Sequence, residues 1–306
     1  MRVGAQNISE ALSLLWGYLH YRDLLELGRS NEDLWMAVLH LLPDFLPRPA
    51  PFALLAREER ASSLKMLKVI ERSLLFENFS DWNPAVLFQD VSQLHKRGSG
   101  HWSLGPGSET PPKMERIPAG RTISSSSTLG CQRSTYDAGP LSPWCITMEN
   151  TDPHTSYGPS GLLFSFKEPV RPRLLAFRCR AYASRPHRCG AIVALATGVG
   201  NDKGPEEPAV FMHLARDEGG RYAYATKNTA VEAVGPWEDG QWLMFTVHLD
   251  WKSRTLRVAM SANPLDAERV LKDVPFANPS CEAVRFLMVY NLTGNFHSSI
   301  TDLLVA

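Results

Sequence analysis

This chain of 306 residues has no run of apolar residues long enough to cross a bilayer as a helix, which takes roughly 18 or more. It has no net charge either: 32 Lys and Arg cancel 32 Asp and Glu. A neutral balance excludes a general binder of nucleic acid or of anionic membrane surfaces, both of which need a positive field. Cysteine is scarce and scattered, five residues (Cys131, Cys145, Cys179, Cys189, Cys281) with no Cys-x-x-Cys pair. That excludes a disulfide scaffold, and His187-Arg188-Cys189 with Cys179 lacks the close ligand pairs of a zinc site. No phosphate-cradling glycine loop and no Gly-x-Ser-x-Gly elbow is present, so no cofactor is expected. The first residues, Met1 to Asn7, carry no apolar signal core, and the expected location is the cytoplasm, the nucleus or both. On that reading the sequons at Asn78 and Asn291 are chance matches, and Asn201-Asp202 is a polar turn rather than a calcium loop.

What is present divides by periodicity. Over residues 1–50, Ile8, Ala11, Leu12, Leu15, Tyr18 and Leu19 recur at helical spacing behind an Asn7 cap with Glu10 at its third position. A short helix follows from Asp23, closed by Gly28, and Ser30-Asn31-Glu32-Asp33 opens a third that Pro43 ends. Three helices this short cannot enclose their own apolar surface, so one face is left for a partner. Residues 51–97 predict a helical bridge, with a helix from Arg57 to Phe76 that carries Leu64, Leu67, Ile70 and Leu74 on one stripe and a second from Asn83-Pro84 to Lys96-Arg97-Gly98. From 98 to 120, glycine and proline supply nine of 23 residues, the composition of a linker to which Trp102 and Met114 add anchors.

The string Tyr18-Leu19-His20-Tyr21-Arg22-Asp23-Leu24-Leu25-Glu26-Leu27, with Asn31 and Trp35 beyond it, resembles an F-box. The resemblance implies docking on a Skp1-like adaptor, with a cullin behind it, through Leu15, Tyr18, Leu19, Leu24, Leu25, Leu27 and Trp35.

From 121 to 306 the period becomes two, in about ten candidate strands. They are 144–149, 162–167, 173–183, 191–197, 209–215, 222–226, 241–250, 255–261, 284–291 and 299–305. In the strand from Gln241, Leu243, Phe245, Val247 and Leu249 point one way, and Trp242, Met244, Thr246 and His248 the other. Strands without intervening helices predict a two-sheet antiparallel sandwich. Trp237-Glu238-Asp239-Gly240-Gln241-Trp242, the strand after it and Thr255-Leu256-Arg257-Val258 resemble the laminin-G/concanavalin-A-like jelly roll. The chain as a whole is therefore expected to be α+β and multidomain, helices first and sandwich second.

No candidate strand carries two inward acids, as a glycoside hydrolase would need, so a non-enzyme is expected. Six arginines (Arg171, Arg173, Arg178, Arg180, Arg185, Arg188) fall within 18 residues that hold no acid. Arg171, Arg173, Arg178 and Arg180 form a candidate patch for an acidic or phosphorylated target, because guanidinium groups grip phosphate in pairs. The expected function is a substrate receptor of a ubiquitin ligase, with helices on Skp1 and the sandwich on a protein target that is acidic, phosphorylated or glycosylated. A lectin-like module binding glycan or peptide, with Trp242 and Tyr290 as stacking rings, and an architectural subunit are the alternatives.

Overall fold

The computed structural model describes residues 73–77, 79, 82, 96–97, 99–105, 107–108, 111–117, 144–149, 160–186, 190–201, 204–227, 230–261, 269–292 and 296–306. The F-box-like module, with Leu15, Tyr18, Leu19, Leu24, Leu25, Leu27 and Trp35, lies outside these residues, as does most of the helical bridge.

The described chain is all strand. It opens with β1 (Leu75–Glu77), β2 (Lys96–Arg97), β3 (Gly100–Leu104), β4 (Lys113–Arg116), β5 (Trp144–Met148) and β6 (Ser160–Val170). Next come β7 (Leu174–Ala183), β8 (Ala191–Ala196), β9 (Gly198–Val199), β10 (Pro205–Glu206), β11 (Val210–Asp217) and β12 (Gly220–Lys227). The last six are β13 (Ala230–Pro236), β14 (Leu243–Asp250), β15 (Thr255–Ser261), β16 (Arg269–Pro275), β17 (Val284–Asn291) and β18 (Phe296–Val305). One eight-stranded sheet runs β16-β15-β14-β7-β18-β5-β4, with β1 added on β18. The second runs β13-β12-β11-β8-β17-β6-β3-β2, and β9–β10 form a small hairpin outside both. All the pairings given for these strands are antiparallel, and we call the two sheets the first and the second.

The alternation read from the sequence sets the two inner faces. Leu243, Phe245, Val247 and Leu249 of β14 are buried in the core with Leu175, Phe177 and Cys179 of β7. Val193 and Leu195 of β8, Met212 and Leu214 of β11, and Leu287 and Val289 of β17 meet them from the second sheet. Phe177 and Phe245 stack at 5.0 Å, an arrangement that adds on the order of 1 kcal/mol beyond the area it buries. At the other end, Phe79, Trp82, Trp102, Phe164 and Phe166 form a chain of mostly edge-on rings. Glu77 is buried among them and accepts the Phe79 N–H (3.0 Å) and the Trp102 Nε1–H (3.2 Å).

Three expectations are corrected. The helix stripe ending at Leu74 does not run to Phe76, because Leu75 and Phe76 pair with Val305 and Leu304 as β1. Lys96–Arg97 is a strand, β2, rather than a helix end. The segment 98–120 is not simply a linker: it supplies β3 and β4, and Trp102 is 1 % exposed opposite Phe164. In each case long-range pairing on a growing sheet outweighs local composition.

Strand β18 holds the first sheet together. One side pairs with β7. The other pairs with β5 through Ser298–Ile300 and with β1 through Leu303–Val305. Between those stretches the register slips, and Asp302 adopts a left-handed φ of 50°, a conformation that costs a non-glycine residue free energy. Asp302 is buried with its Oδ2 3.5 Å from Arg178 Nε on β7. Burial lowers the Arg178 pKa and the Asp302 charge works against that. Removing one partner strands the other charge, so Arg178→Met should cost roughly 3–5 kcal/mol in chemical denaturation. The double variant Arg178→Met/Asp302→Asn should recover part of that loss. Equal losses in both would show that the pairing is not what matters there.

Candidate functional site

The two outer faces of the sandwich differ in chemistry. On the first sheet the outward positions of β7 and its neighbours include Arg178, Thr147, Ser299, Thr301 and Thr246, which are buried, half-buried Arg180 and Met244, and exposed Tyr182. Several of the polar groups engage neighbours. Thr147 and Ser299 hydroxyls lie 3.0 Å apart, and Thr301 donates to the Trp144 carbonyl at 2.9 Å. Arg180 donates to Ser299 Oγ (3.3 Å), stands 3.8 Å from Glu115 Oε2 and lies 4.9 Å over the Trp242 ring.

The four arginines singled out in the sequence do not share one open surface. Arg178 and Arg180 do sit on the same face of β7, as their spacing required, but Arg178 is 4 % exposed and both face acids. Arg171 and Arg173 are exposed and precede β7, where Arg171 donates to the Glu282 carbonyl at 2.6 Å. Trp242 and Tyr290 are also separated: Trp242 accompanies Arg180 on the first sheet, whereas Tyr290 lies on the outer face of the second.

The second sheet turns an apolar and aromatic face outward. Ile192, Ala194, Met288 and Tyr290 form a buried floor, edged by half-buried Leu163, Val199, Phe211, Phe286 and Leu292. The face continues onto β11 and β12, where the register aligns Phe211, His213, Ala215 and Asp217 beside Thr226, Tyr224, Tyr222 and Gly220. His213 stacks on Tyr224 at 5.4 Å and 21° and meets Phe211 edge-on at 5.7 Å. Tyr222 and Tyr224 are half-buried, with centroids 6.2 Å apart. The Tyr224 hydroxyl donates to Asp217 Oδ2 (3.4 Å), whose other oxygen accepts the Gly219 N–H (2.8 Å). Burial and the Asp217 charge both raise the Tyr224 pKa. The sequence signal for this face is a pair of rings two apart on each of two strands joined by Glu218-Gly219-Gly220, a pattern that holds neither paired acids nor an arginine run.

Chemically this arrangement offers stacking surfaces and one carboxylate. The outward positions of β11 and β12 hold a single acid, Asp217, not a facing pair. The described cysteines are buried, and desolvation pushes Cys179 up to about 12 and Cys281 up to about 11, so neither is a thiolate at neutral pH. Among the described residues no three His, Cys, Asp or Glu side chains stand together as metal ligands would.

His213 gives the face a pH signature. It is 7 % exposed, and burial lowers its pKa to about 4 from 6.5. The unfolded chain therefore takes up this proton first as pH falls. The contribution to stability is complete above about pH 6.5, declines below it and is gone near pH 4. Denaturation titrations should show a wild-type loss across this window that exceeds the loss in His213→Gln by up to roughly 3 kcal/mol. Parallel pH profiles in the two proteins would exclude His213 as the titrating group.

Comparison with known proteins gives no family model and no curated protein sequence that matches. Several solved structures are similar over about half of the chain. Lectin II from Ulex europaeus matches with a TM-score of 0.38 at 8 % identity, over 54 % of this chain and 87 % of that one. The metal-free lectin I-B4 from Griffonia simplicifolia gives 0.38 at 13 % identity, over 53 % and 87 %. A sialidase gives 0.37 at 9 % identity over 54 % of this chain, which spans only 16 % of the sialidase. Likenesses this distant carry no argument about activity, and the sandwich stands on its own strand order.

Proposed function

We propose that this protein is a non-catalytic recognition protein whose sandwich holds its ligand on the outer face of the second sheet, in the manner of a lectin. The observation that carries this reading is the contrast between the two outer faces. On the first, the arginines face acids and hydroxyls and the rings are Trp242, held under Arg180, and Tyr182, while the second turns Phe211, Phe286, Tyr222 and Tyr224 outward without a catalytic pair beside them. A row of half-buried rings on a rigid sheet suits stacking against the apolar face of a sugar, and it buries area at little entropic cost. A glycan array probed with the intact chain should show retention of neutral glycans, weakened at least several-fold in Phe211→Ser/Phe286→Ser. An array without signal from demonstrably folded protein would defeat the lectin-like reading.

The F-box-like string supports a second end to the same molecule. In this finer reading Leu15, Tyr18, Leu19, Leu24, Leu25, Leu27 and Trp35 dock on a Skp1-like adaptor, and the sandwich brings the target to a cullin ligase. Such a protein accelerates transfer by raising the local concentration of target lysines, without making or breaking bonds itself. The intact chain should co-purify with Skp1, and Leu24→Asp/Leu25→Asp should lower capture at least roughly tenfold, since buried apolar anchors carry most of an interface. Failure of the folded wild-type chain to capture Skp1 would remove the ligase role and leave glycan recognition standing.

A further inference from the structure

Within the outer face of the second sheet, one strip combines half-buried rings with a polar end. Ala215, 3 % exposed beneath its neighbours, lies on β11 between His213 and Asp217. Tyr222 stands directly opposite Ala215 and Tyr224 opposite His213. On the far side the two tyrosines pair with Pro236 and Ala233 of β13, neither of which bears a long side chain to cover them. From Phe211 to Asp217 the strip runs roughly 20 Å at about 3.3 Å per residue, enough for a few sugar rings in line.

Charge narrows the ligand. The nearest cations are committed elsewhere: Arg216 donates to the Ala183 carbonyl, and Arg221 grips Asp239 with bonds of 3.0 and 2.6 Å while lying 5.8 Å over Trp237. That leaves Asp217 as the only charge among the outward positions of β11 and β12, an acceptor that repels carboxylates and phosphates. A second polar group is buried in the cluster without a partner, since His213 Nδ1 has no hydrogen bond in the structure. Main-chain recognition is closed off here, because β11 pairs with β8 and β12, and β12 pairs with β11 and β13. An extended peptide could not add as a strand, so binding must go through side chains.

We propose that this strip is a subsite for one neutral hexose ring. The sugar lays its C–H face on Tyr222 and Tyr224 and donates a hydroxyl hydrogen bond to the Asp217 carboxylate. This assignment rests on the recognition role proposed above and specifies where on the face and for which ligand it operates.

Saturation-transfer NMR on the full chain tests it, with methyl β-galactoside, methyl β-glucoside, N-acetylneuraminic acid and a phenylalanine-rich peptide as probes. At least one neutral glycoside should receive saturation at its ring C–H protons. Its affinity should fall about tenfold in Tyr224→Ala and in Asp217→Ala, and stay within a few-fold of wild type in Tyr224→Phe and Asp217→Asn. Near-UV circular dichroism of each variant checks that the sheet is intact, and Asp217→Lys, at an exposed position and expected to lose affinity to a similar extent, decides the question if an alanine variant unfolds. A glycoside that binds equally well to all folded variants overturns the subsite while leaving lectin-like recognition in place. Preference for N-acetylneuraminic acid overturns the neutral-ligand assignment. Binding of the peptide alone overturns both the subsite and the lectin-like reading.

Discussion

The first sheet depends on a change of partner along β18. Two strands, β5 and β1, compete for the same edge, and one uninterrupted ladder cannot serve both in register. The slip at Asp302 solves this by re-phasing the strand between Thr301 and Leu304, so that each half offers its edge to a different neighbour. The backbone there is left-handed, and a carboxylate is carried out of water. Arg178 on the adjacent strand compensates the charge. The ion pair thus sits at the point where β5 stops and β1 begins, above the core.

With that core closed, the described interior leaves, between the stacked phenylalanines and their neighbours Met212 and Val289, a cavity of about 20 Å³, the size of a water rather than of a substrate. Any recognition must use an outer face, a rim or a loop. Among the described residues, the outer face of the second sheet sets several rings at intermediate exposure in a row with an acid, Asp217, at one end. Recognition there by side chains on the middle strands of a paired sheet has a physical advantage: the positions are fixed by main-chain ladders on both sides, so little ordering accompanies binding.

Much of the sandwich was legible in the sequence because half-buried strands alternate. The stretch Leu243–Asp250 shows both of its faces in its sequence, whereas β5, β7, β8 and β17 are buried at most positions and read as strands from short apolar runs bounded by turns. Strands with neither pattern escaped notice. β13 and β16 are edges in which small or charged residues break the pattern, and β1 to β4 are short pieces whose identity comes from partners far along the chain. The arginine run misled for a related reason. Sequence shows the spacing of Arg178 and Arg180 but not Asp302 or Glu115, which face them from other strands. The ring strip on β11 and β12 was visible as two aromatic pairs, yet only the register shows that they lie side by side. The helical third, by contrast, rests on its sequence pattern.

The pairing of β1 with the end of β18 has a mechanical corollary. Leu75 lies opposite Val305, so the chain enters and leaves the sandwich at one corner, and Ala306 is stitched to Leu174 beside it. A pull applied through Leu74 and Ala306 would load the β1–β18 ladder as a zipper, rung by rung, instead of shearing all of its bonds at once. Along this axis a molecule with a dense core yields to small forces, and its first loss would be β1, the strand that connects the sandwich to everything before it.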